Sequence, residues 1–125
     1  MEMLLLDVNQ NEVKVVEANG LEDYYKYIGC EVIDIVKRKI GNVTVEIVCD
    51  DEALFAEHPQ ISAVDIEGNP CMFGNLLVAG GRVIDGELTP LTEAEIEQIK
   101  RHLVEVTTQY YKTPYKIFRN MDFAY

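Results

Sequence analysis

Positive charge is scarce in this chain: 11 Lys and Arg stand against 22 Asp and Glu, a net charge of −11. Direct binding of a phosphate backbone is therefore disfavoured, because nucleic-acid affinity comes largely from Lys and Arg displacing counterions. Tryptophan is absent, serine occurs only as Ser62, and the histidines are His58 and His102. With no G-x-S-x-G around Ser62 and no recognisable motif around either histidine, serine-hydrolase chemistry and a cysteine nucleophile with a histidine base both lack their parts. The three cysteines, Cys30, Cys49 and Cys71, are widely separated, and an odd number argues against a complete disulfide framework. Reduced thiols buried as small hydrophobes are the expectation. No uncharged apolar run approaches the roughly 18 residues that a spanning helix needs. The start, Met1-Glu2-Met3-Leu4-Leu5-Leu6-Asp7, lacks the basic opening and long apolar core of a leader. The reading is a cytoplasmic protein with no membrane contact.

What is present is enough apolar residue for a core. A chain of 125 residues with 48% hydrophobic content fits one domain, and no Pro/Gly/Ser-rich stretch divides it. Met3 to Val8 and Glu12 to Glu17 are short β-prone runs around Asn9-Gln10-Asn11, which reads as a hairpin. After Asn19-Gly20 the spacing changes to Leu21, Tyr24, Tyr25 and Ile28, predicting a short helix over 21–28 that Gly29 stops in a left-handed cap. Glu31 to Lys37 and Val43 to Asp50 predict a second hairpin. Val43, Val45, Ile47 and Cys49 lie on one face, and Lys37-Arg38-Lys39 falls in a solvated turn of residues 37–42. Residues 50–69 show neither period. Asp50-Asp51-Glu52 lacks the spaced ligands and turn glycine of a calcium loop, so no metal is assigned.

Asn75-Leu76-Leu77-Val78-Ala79, ended by Gly80-Gly81, predicts a strand buried on both faces. Those glycines are no phosphate loop, because Arg82 to Leu91 intervene before the next helix. Asp85-Gly86 marks a tight turn, and Thr92-Glu93-Ala94-Glu95 has the form of a capping box. Ile96, Ile99, Leu103, Val106 and Tyr110 form one stripe, predicting a long helix over 92–112 ended by Pro114. The expected fold is α+β: a largely antiparallel sheet of about five strands, with the short and the long helix packed on one face. A single domain occupies residues 1–113. Residues 114–125 form a C-terminal arm of that domain, too rich in aromatic and aliphatic side chains to stay in water.

The order of hairpin, LEDYYKYIGCEVIDIV, second hairpin, apolar strand ending in glycine and then LTEAEIEQI resembles an uncharacterised family of bacterial phage, plasmid and integrative-element proteins, the domain of unknown function 3846. The resemblance covers roughly residues 3–103. It implies a cytosolic accessory protein of a mobile element acting on host machinery, with no biochemical activity attached. Where relatives are expected to have a Pro-Pro-Asn-Arg-like stretch, this chain has His58-Pro59-Gln60-Ile61-Ser62-Ala63, so a role resting on that Asn and Arg does not transfer.

Two functional readings follow. The first is a non-enzymatic module that binds a host or element protein, of basic character, through an acidic surface, its sharpest forms being a nucleic-acid mimic or an anti-defence factor. Its candidate residues are Asp50, Asp51, Glu52 and Glu57, with Tyr115, Phe118 and Phe123 on the arm, which could also join two copies into a homodimer. The second is a small-ligand-binding protein or enzyme with a pocket around residues 50–73. No catalytic residue, cofactor or metal ligand is assigned.

Overall fold

The computed structural model of the protein describes residues 1–124. Its strands are β1 (Glu2–Asp7), β2 (Glu12–Glu17), β3 (Ile33–Ile40), β4 (Val43–Asp50), β5 (Ile61–Asp65), β6 (Pro70–Phe73), β7 (Leu76–Ile84), β8 (Glu87–Thr89), β9 (Leu103–Val106) and β10 (Tyr115–Phe123). Helix α1 (Leu21–Ile28) follows β2, a 3-10 turn at Ala53–Phe55 follows β4, and helix α2 (Glu93–Lys100) follows β8. The strands form one 10-stranded sheet in the order β2-β1-β7-β4-β3-β10-β5-β6, with β8 added to β7 and β9 to β10. Every pairing is antiparallel except that of β10 with β5.

Alternation along β1, β4 and β7 builds two cores. Leu4 and Leu6 of β1, Val45 and Ile47 of β4 and Leu76 and Val78 of β7 face one side. Met3, Leu5, Val48, Leu77 and Ala79 face the other. The first side is the larger, and the sheet curls around it: Gln60 donates to the Val8 carbonyl at 2.8 Å, and Asn11 accepts the Lys116 N–H at 2.9 Å. These bonds bring the β1–β2 turn against β5 and β10. Ile99 of α2 is buried in this core, whereas Tyr24 and Ile28 of α1 are buried in the other.

The expected fold is thus corrected in two respects. The sheet has 10 strands rather than about five, and the helices contribute to opposite faces rather than one. The predicted 92–112 helix ends at Lys100. Its capping box is present, with Thr92 accepting the Glu95 N–H at 3.1 Å and Glu95 accepting the Thr92 N–H at 2.9 Å. Beyond it, Leu103-Val104-Glu105-Val106 is β-branched at alternate positions and pairs with β10 instead of extending the helix. The segment read as an arm is β10, lying between β3 and β5.

The glycines after Ala79 do not end their strand, which continues to Ile84. They are there because neighbours press on the backbone: a Cβ on Gly81 would lie 2.5 Å from the Thr44 carbonyl oxygen, and one on Gly80 2.7 Å from that of Pro90. Lys37-Arg38-Lys39 likewise belongs to β3 and not to the turn, which is Gly41-Asn42. Agreement is close for α1 and for the β7–β8 turn. Helix α1 spans 21–28 with Gly29 left-handed at φ 80°, and Asp85 and Gly86 turn between β7 and β8 at φ 52° and 78°.

Candidate interaction surface

One end of the β3–β4 hairpin gathers acid. The register sets Ile33 opposite Asp50 and Asp34 opposite Cys49, so Asp34 and Asp50, far apart in sequence, reach the same end of the hairpin on its two faces. The Asp51 N–H donates to the Val32 carbonyl at 3.1 Å, extending the pairing by one step. Asp50 then accepts the Glu52 N–H at 2.8 Å, an Asx turn that ends the strand. The chain coils into the 3-10 turn, where the Phe55 N–H donates to the Glu52 carbonyl at 3.0 Å. Glu31, Asp34, Asp51 and Glu52 are exposed here and Asp50 is half-buried.

The turn directs apolar side chains outward. Leu54 is 60% exposed and Phe55 83%, the latter the highest exposure among the large apolar residues described. Two depressions flank them. One, of about 450 Å³, is lined by Cys30, Glu31, Val32, Asp50, Glu52 and Phe55, among others. The other, of about 190 Å³, includes Arg38, Cys49, Asp51, Leu54, Cys71 and Phe73 in its lining. The nearby thiols sense this environment: burial first, then the Asp34 carboxylate, pushes Cys49 up to about 11, with Arg38 opposing. Burial and then Asp50 push Cys30 up as well. A protonated thiol is a poor nucleophile.

Of the residues singled out from sequence, Asp50, Asp51 and Glu52 fall together at this end, while Glu57 is exposed beyond the 3-10 turn and lines neither depression. Phe123 is 57% exposed and lies under Arg38, whose guanidinium carbon is 4.7 Å from the ring centre, so it borders the smaller depression through Arg38. Tyr115 and Phe118 are elsewhere: both are buried in the enclosed core, and the Tyr115 hydroxyl donates to the Ile61 carbonyl at 2.9 Å. Their side chains are packed inside this chain and present no surface. Of the cysteines, Cys49 is buried, Cys30 half-buried and Cys71 exposed, so burial of all three as small hydrophobes is corrected for Cys71 at the outer strand β6.

Glu31, Asp34, Leu54 and Phe55 were not foreseen. Asp34 joins the cluster through strand register and Glu31 through the loop before β3, which lines the larger depression with Asp50 and Glu52; sequence spacing reveals neither. Leu54-Phe55 did leave a signal, an apolar pair between Asp50-Asp51-Glu52 and Glu57 in a stretch with neither helical nor strand period. No described helix is long and apolar enough to cross a membrane. No curated protein and no solved structure matches the chain. The family profile for a domain of unknown function, DUF3846, matches residues 1–104, and the chain belongs to that family.

Proposed function

We propose that the protein is a non-enzymatic accessory protein that binds a basic protein partner through the acidic end of the β3–β4 hairpin. The observation supporting this reading is the gathering of Glu31, Asp34, Asp50, Asp51 and Glu52 around two neighbouring depressions at one end of the β3–β4 hairpin. This excess of carboxylates, with Arg38 the one basic group in the two linings, steers a cationic partner and repels anionic ones. The sequence resemblance adds the setting, an accessory protein of a bacterial mobile element whose partner is a host or element protein, with nucleic-acid mimicry or interference with a defence factor as its most specific forms. A ligand pocket around residues 50–73 has less support, because the turn projects Leu54 and Phe55 outward between two depressions. Enclosed apolar lining with a few convergent polar groups is what a small-ligand site needs.

The test is native mass spectrometry and co-purification from the source cell at low and high salt, with a variant carrying Asp51→Asn, Glu52→Gln and Glu57→Gln alongside. A stoichiometric basic protein, bound at low salt, released at high salt and lost from the variant, is the expected result. A co-purified metabolite with no protein, or a partner indifferent to both salt and the variant, would refute the reading.

A further inference from the structure

We propose that Leu54 and Phe55 form the apolar anchor of this contact, entering an apolar pocket rimmed by Lys or Arg on the partner protein; this deepens the acidic-surface reading and rests on it. Single exposed hydrophobics are ordinary on a soluble protein. Here, two are consecutive and held out on a short turn whose base is fixed by the Asp50–Glu52 and Asp51–Val32 hydrogen bonds. They are not isolated from other apolar surface. Val32, 48% exposed, lines the same depression as Phe55, together with Ala53 and Ala56. The polar members of that depression include Glu31, Asp50 and Glu52. An apolar centre with a charged rim is the anatomy of a protein interface, and aromatic side chains near the middle of such a patch dominate its affinity.

The rim identifies the occupant by its charge. A second copy of this chain meeting the first across a two-fold axis would set the same carboxylates against each other. An anionic lipid surface and a nucleic acid would be repelled for the same reason. A protein pocket with cationic edges satisfies both the apolar centre and the acidic rim. Arg38 lines the smaller depression with Asp51 and Leu54 and offsets part of the negative charge there, whereas the lining of the larger depression beside Phe55 holds Glu31, Asp50 and Glu52 and no basic residue.

The experiment places a photo-crosslinking benzoylphenylalanine at position 55 in the source cell and, as a control, at exposed Ile84 on the β7–β8 hairpin. The expected outcome is one protein crosslinked from position 55 and not from 84, at a segment containing apolar residues and Lys or Arg. Against that purified partner, Leu54→Ser with Phe55→Ser should bind about thirtyfold or more weakly, the loss typical of anchor residues. Its melting temperature should stay unchanged because both side chains are exposed. Crosslinks mainly into another copy of this chain, into a segment without Lys or Arg, or equally from both positions would overturn the inference. If neutralising Asp51, Glu52 and Glu57 abolishes binding while the serine variant binds normally, the anchor is wrong and the acidic reading survives. If the serine variant fails while the neutralised one binds at every salt concentration, the acidic reading itself falls, and with it the cationic rim.

Discussion

Lys37 Nζ lies 3.3 Å from Glu46 Oε1 across the β3–β4 pair, and Glu46 is the one buried charged side chain among the described residues, with 8% of its side chain exposed. The same ammonium donates to the Gly81 carbonyl at 2.8 Å, joining β3 to β7 across β4. Removing one member of a buried pair leaves the other charge desolvated, which costs more than the pair contributes. Lys37→Ala should therefore destabilise by about 2 kcal/mol, less than for a fully buried pair because Lys37 is partly in water. Lys37→Met combined with Glu46→Met should recover most of the loss. Urea denaturation of the two variants checks this, and equal stabilities would contradict it.

Gly81→Ala should cost about 1–3 kcal/mol, because the added Cβ meets the Thr44 backbone, 2.5 Å from its carbonyl oxygen, as well as the Thr44 methyl group. Gly68→Ala makes a useful contrast: its Cβ would meet nothing, so its cost comes from the left-handed φ of 85° alone, roughly 1 kcal/mol. Crowding at Gly81 predicts the larger loss in thermal denaturation.

Deleting residues 114–125 should abolish cooperative unfolding rather than trim stability. The deletion removes Tyr115, Ile117, Phe118 and Met121 from the enclosed core and leaves facing edges of β3 and β5 unpaired. A fragment cut at the family boundary, residues 1–104, should behave the same way, since β10 lies beyond it. Circular dichroism melting provides the readout, and an unchanged melting temperature would show that β10 contributes nothing.

Alkaline stability should depend on Cys49. Its thiol titrates near 11 in the fold, against 9.0 for the unperturbed group, so the folded state holds the proton more tightly than the unfolded chain. That contribution is complete below pH 9.0 and is lost as pH rises from there toward about 11. Cys49→Ala should make the fall in denaturation free energy across that window shallower without removing it, because burial also pushes Cys71 up to about 11. Parallel pH profiles for the two proteins would show that the thiol is not responsible.

Helix α1, the two hairpins and the β7 core were legible because each is encoded locally, by a 3.6-residue stripe, strict alternation or an apolar run. What failed was a competition between local signals. Ile96, Ile99, Leu103, Val106 and Tyr110 keep helical spacing past Lys100, and no glycine or proline interrupts them before Pro114. Pairing of Leu103 with Phe118 and Val106 with Tyr115 decides the outcome, and the partner strand is nonlocal. The candidate surface was half legible for the same reason. Asp50 to Glu57 are contiguous in sequence, but Asp34 reaches them only by standing opposite Cys49.

The position of β10 also sets the order in which the molecule can be made. Synthesis proceeds from the N-terminus, yet this strand separates β3 from β5 and supplies part of the enclosed core. A nascent chain that has completed β1 to β9 still has open edges in mid-sheet, and only emergence of residues as far as Phe123 lets the two parts join. Folding is thereby tied to translation of β10, and a ribosome that stalls before it leaves a chain with unpaired edges in mid-sheet, open to pairing with other chains.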